Sequence, residues 1–431
     1  MGKSAYIHTF GCQMNVHDSE IMTGILEEQG YSRSDSPSNA DLVIFNTCSI
    51  RQKAEQKFYS ELGRMKSLKK EKPWIKIAVA GCIAQQEGKN IFKHAPYVDF
   101  VFGTQNIHTL KNIASASFER VAIHVNPDLA TIELPVKRND GIRAWTTIMY
   151  GCDNFCSYCV VPYTRGRERS RPSDTICAEV SELAGRGYKE ITLLGQNVNS
   201  YRSDTDFPGL LRKLDVIGGI ARIRFVTSHP KDISDDLIRA MFELPSVCNH
   251  IHLPLQSGSS TVLQRMNRRY SFSDYMKKIS RLRKQIPEIA ITTDIIAGFP
   301  GETDEDHQLT VSALQQIEFD GIFAFKYSPR PFTKAAEMDG HVQDLLKADR
   351  LNEILILQDG ITFQKNKALV GTVQEILIEG ESETNSEKLT GRTSSNKIVT
   401  LPKACSQKGA IIHVEIIKSR RHSLEGTPVN T

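Results

Sequence analysis

The 431-residue sequence has no apolar run that approaches the length of a membrane span, and its first residues lack the apolar core of a signal peptide. Both absences predict a cytoplasmic protein with no membrane partner. The net charge is only +4, so binding to nucleic acid would have to come from local basic patches. There is no internal repeat and no long low-complexity tract, and the length allows two to four globular domains.

The sequence does contain nine cysteines, which in a cytoplasmic chain of this size favour metal binding or catalysis over disulfides. Cys152, Cys156 and Cys159 are separated by three residues and then by two. A structural zinc site takes four ligands, often from two CxxC pairs. A four-iron cluster held by three thiolates leaves one iron open for a ligand from outside the protein. The spacing therefore favours an iron–sulfur cluster, and an incomplete zinc knuckle or three reduced structural thiols are the alternatives.

Three further cysteines each follow a predicted strand. Short apolar runs alternate with helical patterns over residues 1–118, which predicts a parallel sheet covered by helices. Cys12, Cys48 and Cys82 come directly after the first three runs. Because parallel strands end at one edge of a sheet, the three thiols are expected to converge there. A second metal site is favoured over three buried structural cysteines. The predicted helices cover residues 18–29, 50–70 and 106–117.

The rest of the chain divides into three segments. Residues 119–142 are a polar connector. Residues 143–360 contain six strand-like runs separated by helical patterns, which predicts a partial (βα)6 barrel with the three-cysteine loop after its first strand, at the end where such folds carry their chemistry. Residues 361–427 contain short, closely spaced strands, which predicts a small β-barrel. The fold class is thus α/β multidomain.

Several polar and glycine residues fall at the ends of the predicted barrel strands. Gly195, Gln196 and Asn197 end the second strand and offer a bare backbone edge and amide groups. Ser228 follows the third strand, and its hydroxyl could reach a bound ligand. Gly298 ends the fifth strand and would allow close approach of a ligand. Ordinary loop chemistry explains each of these alone, but their common location favours a ligand site.

Arginine alternates with other residues just beyond the three-cysteine loop, at positions 165, 167, 169 and 171. In an extended segment this period places the guanidinium groups on one face. Such a row suits phosphate binding, so Arg165, Arg167 and Arg169 are candidate contacts to an RNA backbone near the active site. A solvated charged loop is the alternative.

The CxxxCxxC spacing, with aromatic Tyr158 before the last cysteine, resembles the signature of the radical S-adenosylmethionine (SAM) enzymes. The order of a three-cysteine domain, a CxxxCxxC barrel and a small β-barrel resembles the methylthiotransferases of that superfamily, and the last domain resembles a TRAM domain, an RNA-binding β-barrel. Residues 11–15, 163–168 and 391–399 resemble the branch of this family that acts on N6-isopentenyladenosine in tRNA.

The resemblance implies two [4Fe-4S] clusters and two SAM molecules per turnover. SAM would bind at the cluster held by Cys152, Cys156 and Cys159, near Tyr158 and the strand-end residues named above. The cluster held by Cys12, Cys48 and Cys82 would hold the sulfur. The reaction would add a methylthio group to C2 of N6-isopentenyladenosine next to the anticodon.

The implied partners are the tRNA anticodon stem-loop, an electron donor such as flavodoxin or ferredoxin, and a sulfur source, with the protein expected to be a monomer. No histidine or carboxylate stands out as a general acid or base, so no catalytic residue outside the clusters is predicted. Methylthiolation of threonylcarbamoyl-adenosine or of a ribosomal protein is the alternative within the family. A non-catalytic iron–sulfur or zinc RNA-binding protein is the alternative outside it.

Overall fold

The computed structural model describes residues 2–49, 52–113, 119–138 and 140–429. The chain forms an N-terminal α/β domain, a central open barrel and a small C-terminal β-barrel, which confirms the predicted α/β multidomain architecture. Within the described ranges, no helix combines the length and the apolar character needed to cross a membrane.

The N-terminal domain is a six-stranded sheet in which every neighbouring pair is parallel, with the strand order β2-β1-β3-β4-β5-β6. Its strands are β1 (Lys3–Thr9), β2 (Tyr31–Arg33), β3 (Leu42–Thr47), β4 (Lys76–Ala80), β5 (Phe100–Phe102) and β6 (Val121–Ala122). Its helices are α1 (Gln13–Glu28), α2 (Gln52–Glu71), α3 (Gly81–Glu87) and α4 (Ile91–His94). Side chains of β3 enter two separate cores, one with α1 and one with α2. Every position of β3 is therefore buried, as expected for a parallel strand with both faces covered.

The sequence-based assignment of this domain differs from the structure in detail. The short strands β2 and β6 were not predicted. The predicted helix 106–117 is a 3-10 helix at Ile107–Asn112, and residues 114–117 lie outside the described residues, as do residues 50 and 51 of the predicted helix 50–70 and Asn139 of the connector.

The central barrel is an arc of six parallel strands in two sheets, with the orders β7-β10-β11 and β12-β13-β14. Main-chain hydrogen bonds between Ile223 and both Ser246 and Cys248 join the two sheets. The strands are β7 (Arg143–Thr147), β8 (Met149–Tyr150), β9 (Arg169–Ser170), β10 (Glu190–Leu194), β11 (Arg222–Phe225), β12 (His250–His252), β13 (Ala290–Ala297) and β14 (Gly321–Lys326), with β8 and β9 forming a separate antiparallel pair.

The helices of this domain are α5 (Val161–Thr164), α6 (Ser173–Gly185), α7 (Phe207–Asp215), α8 (Asp235–Glu243), α9 (Ser260–Arg265), α10 (Phe272–Gln285), α11 (Asp304–Ile317) and α12 (Asp344–Lys367). The long helix α12 was not predicted, and the boundary expected at residue 360 lies inside it. Arg350 of α12 donates to Glu302 at 2.8 Å, and Gln358 donates to the carbonyl of Phe319 at 2.7 Å. The helix therefore packs as part of the central domain.

The C-terminal barrel is closed, with the order β15-β16-β17-β19-β18. Its strands are β15 (Val373–Ser382), β16 (Asn385–Thr393), β17 (Ile398–Pro402), β18 (Ile411–Ser419) and β19 (Leu424–Pro428). Of these, β16 and β19 were not predicted.

The C-terminal barrel sits against the amino-terminal ends of the central strands. At the start of β11, Arg222 donates to the carbonyl of Arg392 at 2.6 Å. Two residues later, Arg224 donates to the carbonyls of Thr393 and Ser394 at 2.7 and 2.9 Å. The small barrel therefore closes the floor of the central barrel, at the end opposite the three-cysteine loop.

Ion pairs reinforce this docking. Lys397 lies 3.0 Å from Asp320, just before β14, and Arg143, at the start of β7, lies 2.6 Å from Glu379. The stretch 391–399, which resembles the tRNA-modifying branch of the methylthiotransferases, thus makes much of the contact with the central barrel.

Candidate iron–sulfur sites

The N-terminal cysteine site consists of Cys12, Cys48 and Cys82, which follow the neighbouring strands β1, β3 and β4. A Cβ atom added at Gly11 would lie only 2.7 Å from the sulfur of Cys48, so the first two cysteine loops touch. Burial and, to a smaller extent, the adjacent thiols of Cys48 and Cys12 together raise the pKa of the Cys82 thiol to about 11, against the lowering effect of Arg165. The three thiols thus meet at one edge of the sheet.

Two features of the backbone permit this close approach. Gly11 has φ +109° and Gly81 has φ +87°, conformations that side-chain-bearing residues rarely adopt. A Cβ at Gly81 would collide with the carbonyl oxygen of Thr47 at 2.5 Å. The amide of Asn15 donates to the carbonyls of Phe10 and Thr47, both at 2.8 Å, and so ties the first two cysteine loops together.

An arginine from the central domain completes the surroundings of the N-terminal cysteine site. The buried guanidinium of Arg165 donates to Asn15 at 2.9 Å and to the carboxylate of Asp18 at 2.8 Å. Burial alone would lower the pKa of Arg165, but Asp18 and the thiols of Cys82 and Cys12 raise it above its usual range. The arginine therefore stays charged, and its charge favours the thiolate of Cys82 against the cost of burial.

The central cysteine site consists of Cys152, Cys156 and Cys159 in the loop after β8. Burial raises the pKa of Cys152 to about 11 and that of Cys159 to about 12, and in both cases the neighbouring thiol of Cys156 adds to the shift. The loop begins at Gly151, with φ +67°, where a Cβ would lie 2.1 Å from the carbonyl oxygen of Arg167.

The segment after α9 holds this loop in place. The amide nitrogen of Ser157 donates to the carbonyl of Met266 at 3.0 Å, and its hydroxyl donates to the carbonyl of Arg265 at 2.8 Å. The side chain of Asn267 donates to the carbonyl of Phe155 at 2.9 Å. These contacts fix the loop from outside, as expected for a site whose ligands must keep a set geometry.

Arg268 contacts the central cysteine site and was missed by the sequence analysis. Its buried guanidinium lies 3.4 Å from the sulfur of Cys156 and 3.5 Å from the hydroxyl of Tyr158, and it donates to the carbonyl of Pro254 at 2.9 Å. Tyr158 in turn packs edge-on against Phe299, with ring centroids 6.5 Å apart. No local motif marks Arg268, because Cys156 and Tyr158 lie more than 100 positions away in the sequence.

Two of the predicted ligand-binding residues carry buried oxygens without a protein partner. These atoms are Oδ1 of Asn197 and Oγ of Ser228. A third such oxygen, Oε1, belongs to Gln256 in the loop after β12, a residue that was not predicted. Buried polar atoms are normally hydrogen-bonded, so unpaired ones at neighbouring strand ends suit a polar ligand. The amino, carboxylate and hydroxyl groups of SAM could meet this need. Gln196, in the loop after β10, is half-buried.

Protein side chains occupy the space beside the two glycines predicted to face a ligand. A Cβ at Gly195 would lie 2.5 Å from Cγ of Met149, and a Cβ at Gly298 would lie 2.3 Å from Cγ of Lys347 in α12. The missing side chain of Gly298 thus makes room for Lys347, and the contact of either glycine with SAM stays a prediction.

The alternating arginines do not form a row. The chain is not extended there, since α5 ends at Thr164 and Gly166 has φ +82°. All four donate to acceptors within the protein: Arg165 to Asp18, Arg169 to Gln105, Arg171 to Glu179, and Arg167 to the exposed Asp153. Only Arg167, with 71% of its side chain exposed, remains a candidate for phosphate contact.

The donor chemistry of both cysteine sites fits iron–sulfur clusters. Among the described residues, no group of three or more histidine, cysteine, aspartate and glutamate side chains is arranged to hold a single metal ion. Each site offers three thiols, the ligands that iron–sulfur clusters require, with an arginine beside it that can offset the charge of thiolates. Either set could therefore hold a cluster with one iron free of protein ligands.

Comparisons with known families and proteins agree with this geometry. Residues 4–103 match the uncharacterized protein family UPF0004, residues 146–314 match the radical SAM superfamily, and residues 367–429 match the TRAM domain. A solved radical SAM methyltransferase, TsrM from Kitasatospora setae, has the same fold at a TM-score of 0.59 and 14% identity, with 77% of this chain and 75% of that chain covered.

Two curated relatives share far more of the sequence, and both are named tRNA-2-methylthio-N6-dimethylallyladenosine synthase. The protein from Thermodesulfovibrio yellowstonii is 54% identical over 432 residues, covering 100% of both chains. The protein from Syntrophus aciditrophicus is 48% identical, covering 98% of this chain and 94% of the relative. These similarities confirm the resemblance found in the sequence: the chain belongs to the tRNA-2-methylthio-N6-dimethylallyladenosine synthase family of radical SAM methylthiotransferases.

Proposed function

We propose that the two cysteine sites divide the work of methylthiolation between them. Cys152, Cys156 and Cys159 hold one [4Fe-4S] cluster, at which SAM binds, and Cys12, Cys48 and Cys82 hold a second, which carries the sulfur. When bound, the first group supplies the radical chemistry that breaks an unactivated C–H bond, and the second supplies the sulfur. One observation carries the proposal: each set of three thiols lies at the carboxyl edge of its own parallel sheet, and Arg165 links the two domains beside one of them.

The protein residues around the central cysteine site would orient SAM and exclude water. Asn197 and Ser228 would hydrogen-bond its polar groups through their unpaired oxygens. The guanidinium of Arg268 would donate to the thiolate of Cys156 and support the negative charge of the cluster. Tyr158, held between Arg268 and Phe299, would keep the loop rigid.

The substrate proposed for this chain is N6-isopentenyladenosine next to the anticodon of tRNA, modified at C2. Support comes from the names of relatives that match the whole chain and from the C-terminal match to the TRAM domain. We propose the anticodon stem-loop as the binding partner, a small electron donor such as flavodoxin or ferredoxin, a separate sulfur source, and a monomeric enzyme that uses two SAM molecules for each product.

The test is nucleoside mass analysis of isopentenylated tRNA after incubation with reconstituted protein, reductant and SAM carrying a trideuterated methyl group. The expected product gains a methylthio group that is heavier by three mass units. One 5′-deoxyadenosine and one S-adenosylhomocysteine should accompany each product. Product formed without S-adenosylhomocysteine would contradict the use of two SAM molecules, and modification of threonylcarbamoyl-adenosine instead would contradict the substrate.

A further inference from the structure

Three aromatic side chains, two exposed and one half-buried, form a group beside the central cysteine site, and we call them the rim aromatic cluster. Phe155 lies between Cys152 and Cys156, Tyr163 lies in α5, and Phe332 follows β14. Tyr163 is 45% exposed and Phe332 is 62% exposed. The rings of Phe155 and Tyr163 lie 6.2 Å apart and nearly perpendicular, and the ring of Phe332 lies 6.2 Å from Tyr163 at an angle of 38°. The three rings thus make one continuous apolar surface.

Two members of the cluster have a backbone conformation that bulky residues rarely adopt. Phe155 has φ +48° and Phe332 has φ +67°. Such conformations are strained and persist where surrounding contacts enforce them. Here Asn267 donates to the carbonyl of Phe155, and the hydroxyl of Thr333 donates to the carbonyl of Arg330 at 2.7 Å. Because Phe332 is mostly exposed, hydrophobic burial does not account for the strain.

A positive charge borders the cluster. The guanidinium of Arg167 lies 5.3 Å from the ring centroid of Phe155 and pairs with Asp153 at 2.7 Å. Both charged side chains are exposed, and exposed ion pairs contribute little to stability. A phosphate group could therefore compete for this arginine at little cost.

We propose that the rim aromatic cluster stacks unpaired bases of the anticodon loop next to the target adenosine, while Arg167 contacts an adjoining phosphate. This inference rests on the proposed function, because it takes tRNA as the substrate. Bases splayed out of an RNA loop stack on exposed aromatic rings whatever their identity. Phe155 lies inside the loop that carries the central cysteines, so a base stacked there keeps its neighbour within reach of the reactive site.

The experiment measures binding of the reconstituted protein to an anticodon stem-loop in which 2-aminopurine replaces a base next to N6-isopentenyladenosine. Stacking should quench the fluorescence of this base. Each ring removed, by Tyr163→Ala or Phe332→Ala, should raise Kd about 5- to 150-fold and reduce the quenching. Tyr163→Phe and Phe332→Trp keep an aromatic ring and should therefore preserve both the affinity and the quenching. The control is Phe242→Ala, since Phe242 is 58% exposed on α8.

The arginine has its own measurement. Arg167→Gln should lower the slope of log affinity against log salt by about one, the loss of one phosphate contact. The matched control is Arg186→Gln. Arg186 directly follows α6, is exposed, and pairs with Glu182 of that helix. Iron content and circular dichroism verify that each variant is folded. Tyr163→Ala carries most weight, because Tyr163 lies in a helix and its backbone is not strained.

Three outcomes would overturn the inference. Unchanged Kd and quenching in the Tyr163→Ala, Phe332→Ala double variant would show that the rings do not touch RNA. Equal weakening by Phe242→Ala would show a non-specific effect. The double variant could also bind RNA normally but lose product formation, with a chemical reductant restoring it. That result would show that the rim aromatic cluster binds the electron donor and not RNA. A wild-type enzyme that binds RNA with quenching but forms no product would contradict the proposed function alone.

Discussion

The two cysteine sites offer the same three thiols but are built in opposite ways. The central cysteine site comes from a single loop, and the arginine beside it, Arg268, belongs to the same domain. The N-terminal cysteine site gathers thiols from three strand ends, and its arginine, Arg165, comes from the neighbouring domain. The central site can therefore form within its own barrel, whereas the N-terminal site depends on how the two domains meet.

The largest effect is expected from removing the central cysteine site, which tests whether the two sites act independently. Replacing Cys152, Cys156 and Cys159 with Ala should abolish formation of 5′-deoxyadenosine, because no iron is left to bind SAM for cleavage. About half of the iron should remain, since each set of thiols holds its own cluster. Iron analysis and chromatography of the nucleoside products test this. Loss of all iron from a folded variant would mean that the sites are not independent.

The reciprocal change removes the N-terminal site. Replacing Cys12, Cys48 and Cys82 with Ala should leave cleavage of SAM to 5′-deoxyadenosine in place but abolish the methylthio product, because no sulfur is held near the substrate. Mass analysis of the tRNA nucleosides gives the result. Product at the wild-type rate without added sulfide would exclude a sulfur-carrying role for this site.

A smaller effect should come from the domain contact. Arg165→Met would leave the buried carboxylate of Asp18 without its partner, and breaking a buried ion pair typically costs about 3–5 kcal/mol. We expect easier proteolysis in the connector and selective loss of iron from the N-terminal site. Adding Asp18→Asn to this variant should recover much of the lost stability, because it removes the unpaired buried charge. Arg167→Met, at the exposed neighbouring arginine, is the control and should change stability little.

The smallest expected effect concerns Arg268. Arg268→Lys removes the planar guanidinium that contacts both Cys156 and Tyr158, and changes to such supporting residues typically cost about 10- to 100-fold in activity. Hydrogen bonds to thiolate sulfur help to set the reduction potential, so the cluster should become harder to reduce. Electron paramagnetic resonance during a redox titration of the variant that lacks the N-terminal cysteines would measure the shift. Arg269→Lys, at the adjacent exposed position, should leave the potential unchanged.

Features coded by short stretches of sequence were predictable. The cysteine spacings and the strand-end positions of Cys12, Cys48 and Cys82 follow from local periodicity, because parallel strands end at one edge. The alternation of strands and helices over residues 1–118 and 143–360 was predicted from the same local periodicity.

Features set by long-range contacts were not predictable. The alternating positions of the arginines predicted that Arg165 and Arg169 share one face of an extended segment. In the structure, the positive φ of Gly166 turns the chain, and both arginines donate to protein acceptors. Arg268 meets Cys156 across 112 positions of sequence, and no local pattern carries that information. The helix α12 was missed for another reason: its buried residues recur at helical spacing, but all of them except Ile354 are polar or charged, so no hydrophobic period marks its buried face.

The docking of the C-terminal barrel sets an order on synthesis and folding. Arg222 reaches its acceptor, the carbonyl of Arg392, across 170 positions of sequence. A ribosome adds roughly 5–20 residues per second, so the floor of the central barrel stays open for roughly 10–30 s after β11 has been made. During that interval Arg222 lacks its acceptors in the C-terminal barrel, and Arg224 has Glu190 but not the carbonyls of Thr393 and Ser394. The floor of the central barrel is therefore closed only when the last strands emerge, whereas the contacts that hold the cysteine loop at its other end are available earlier.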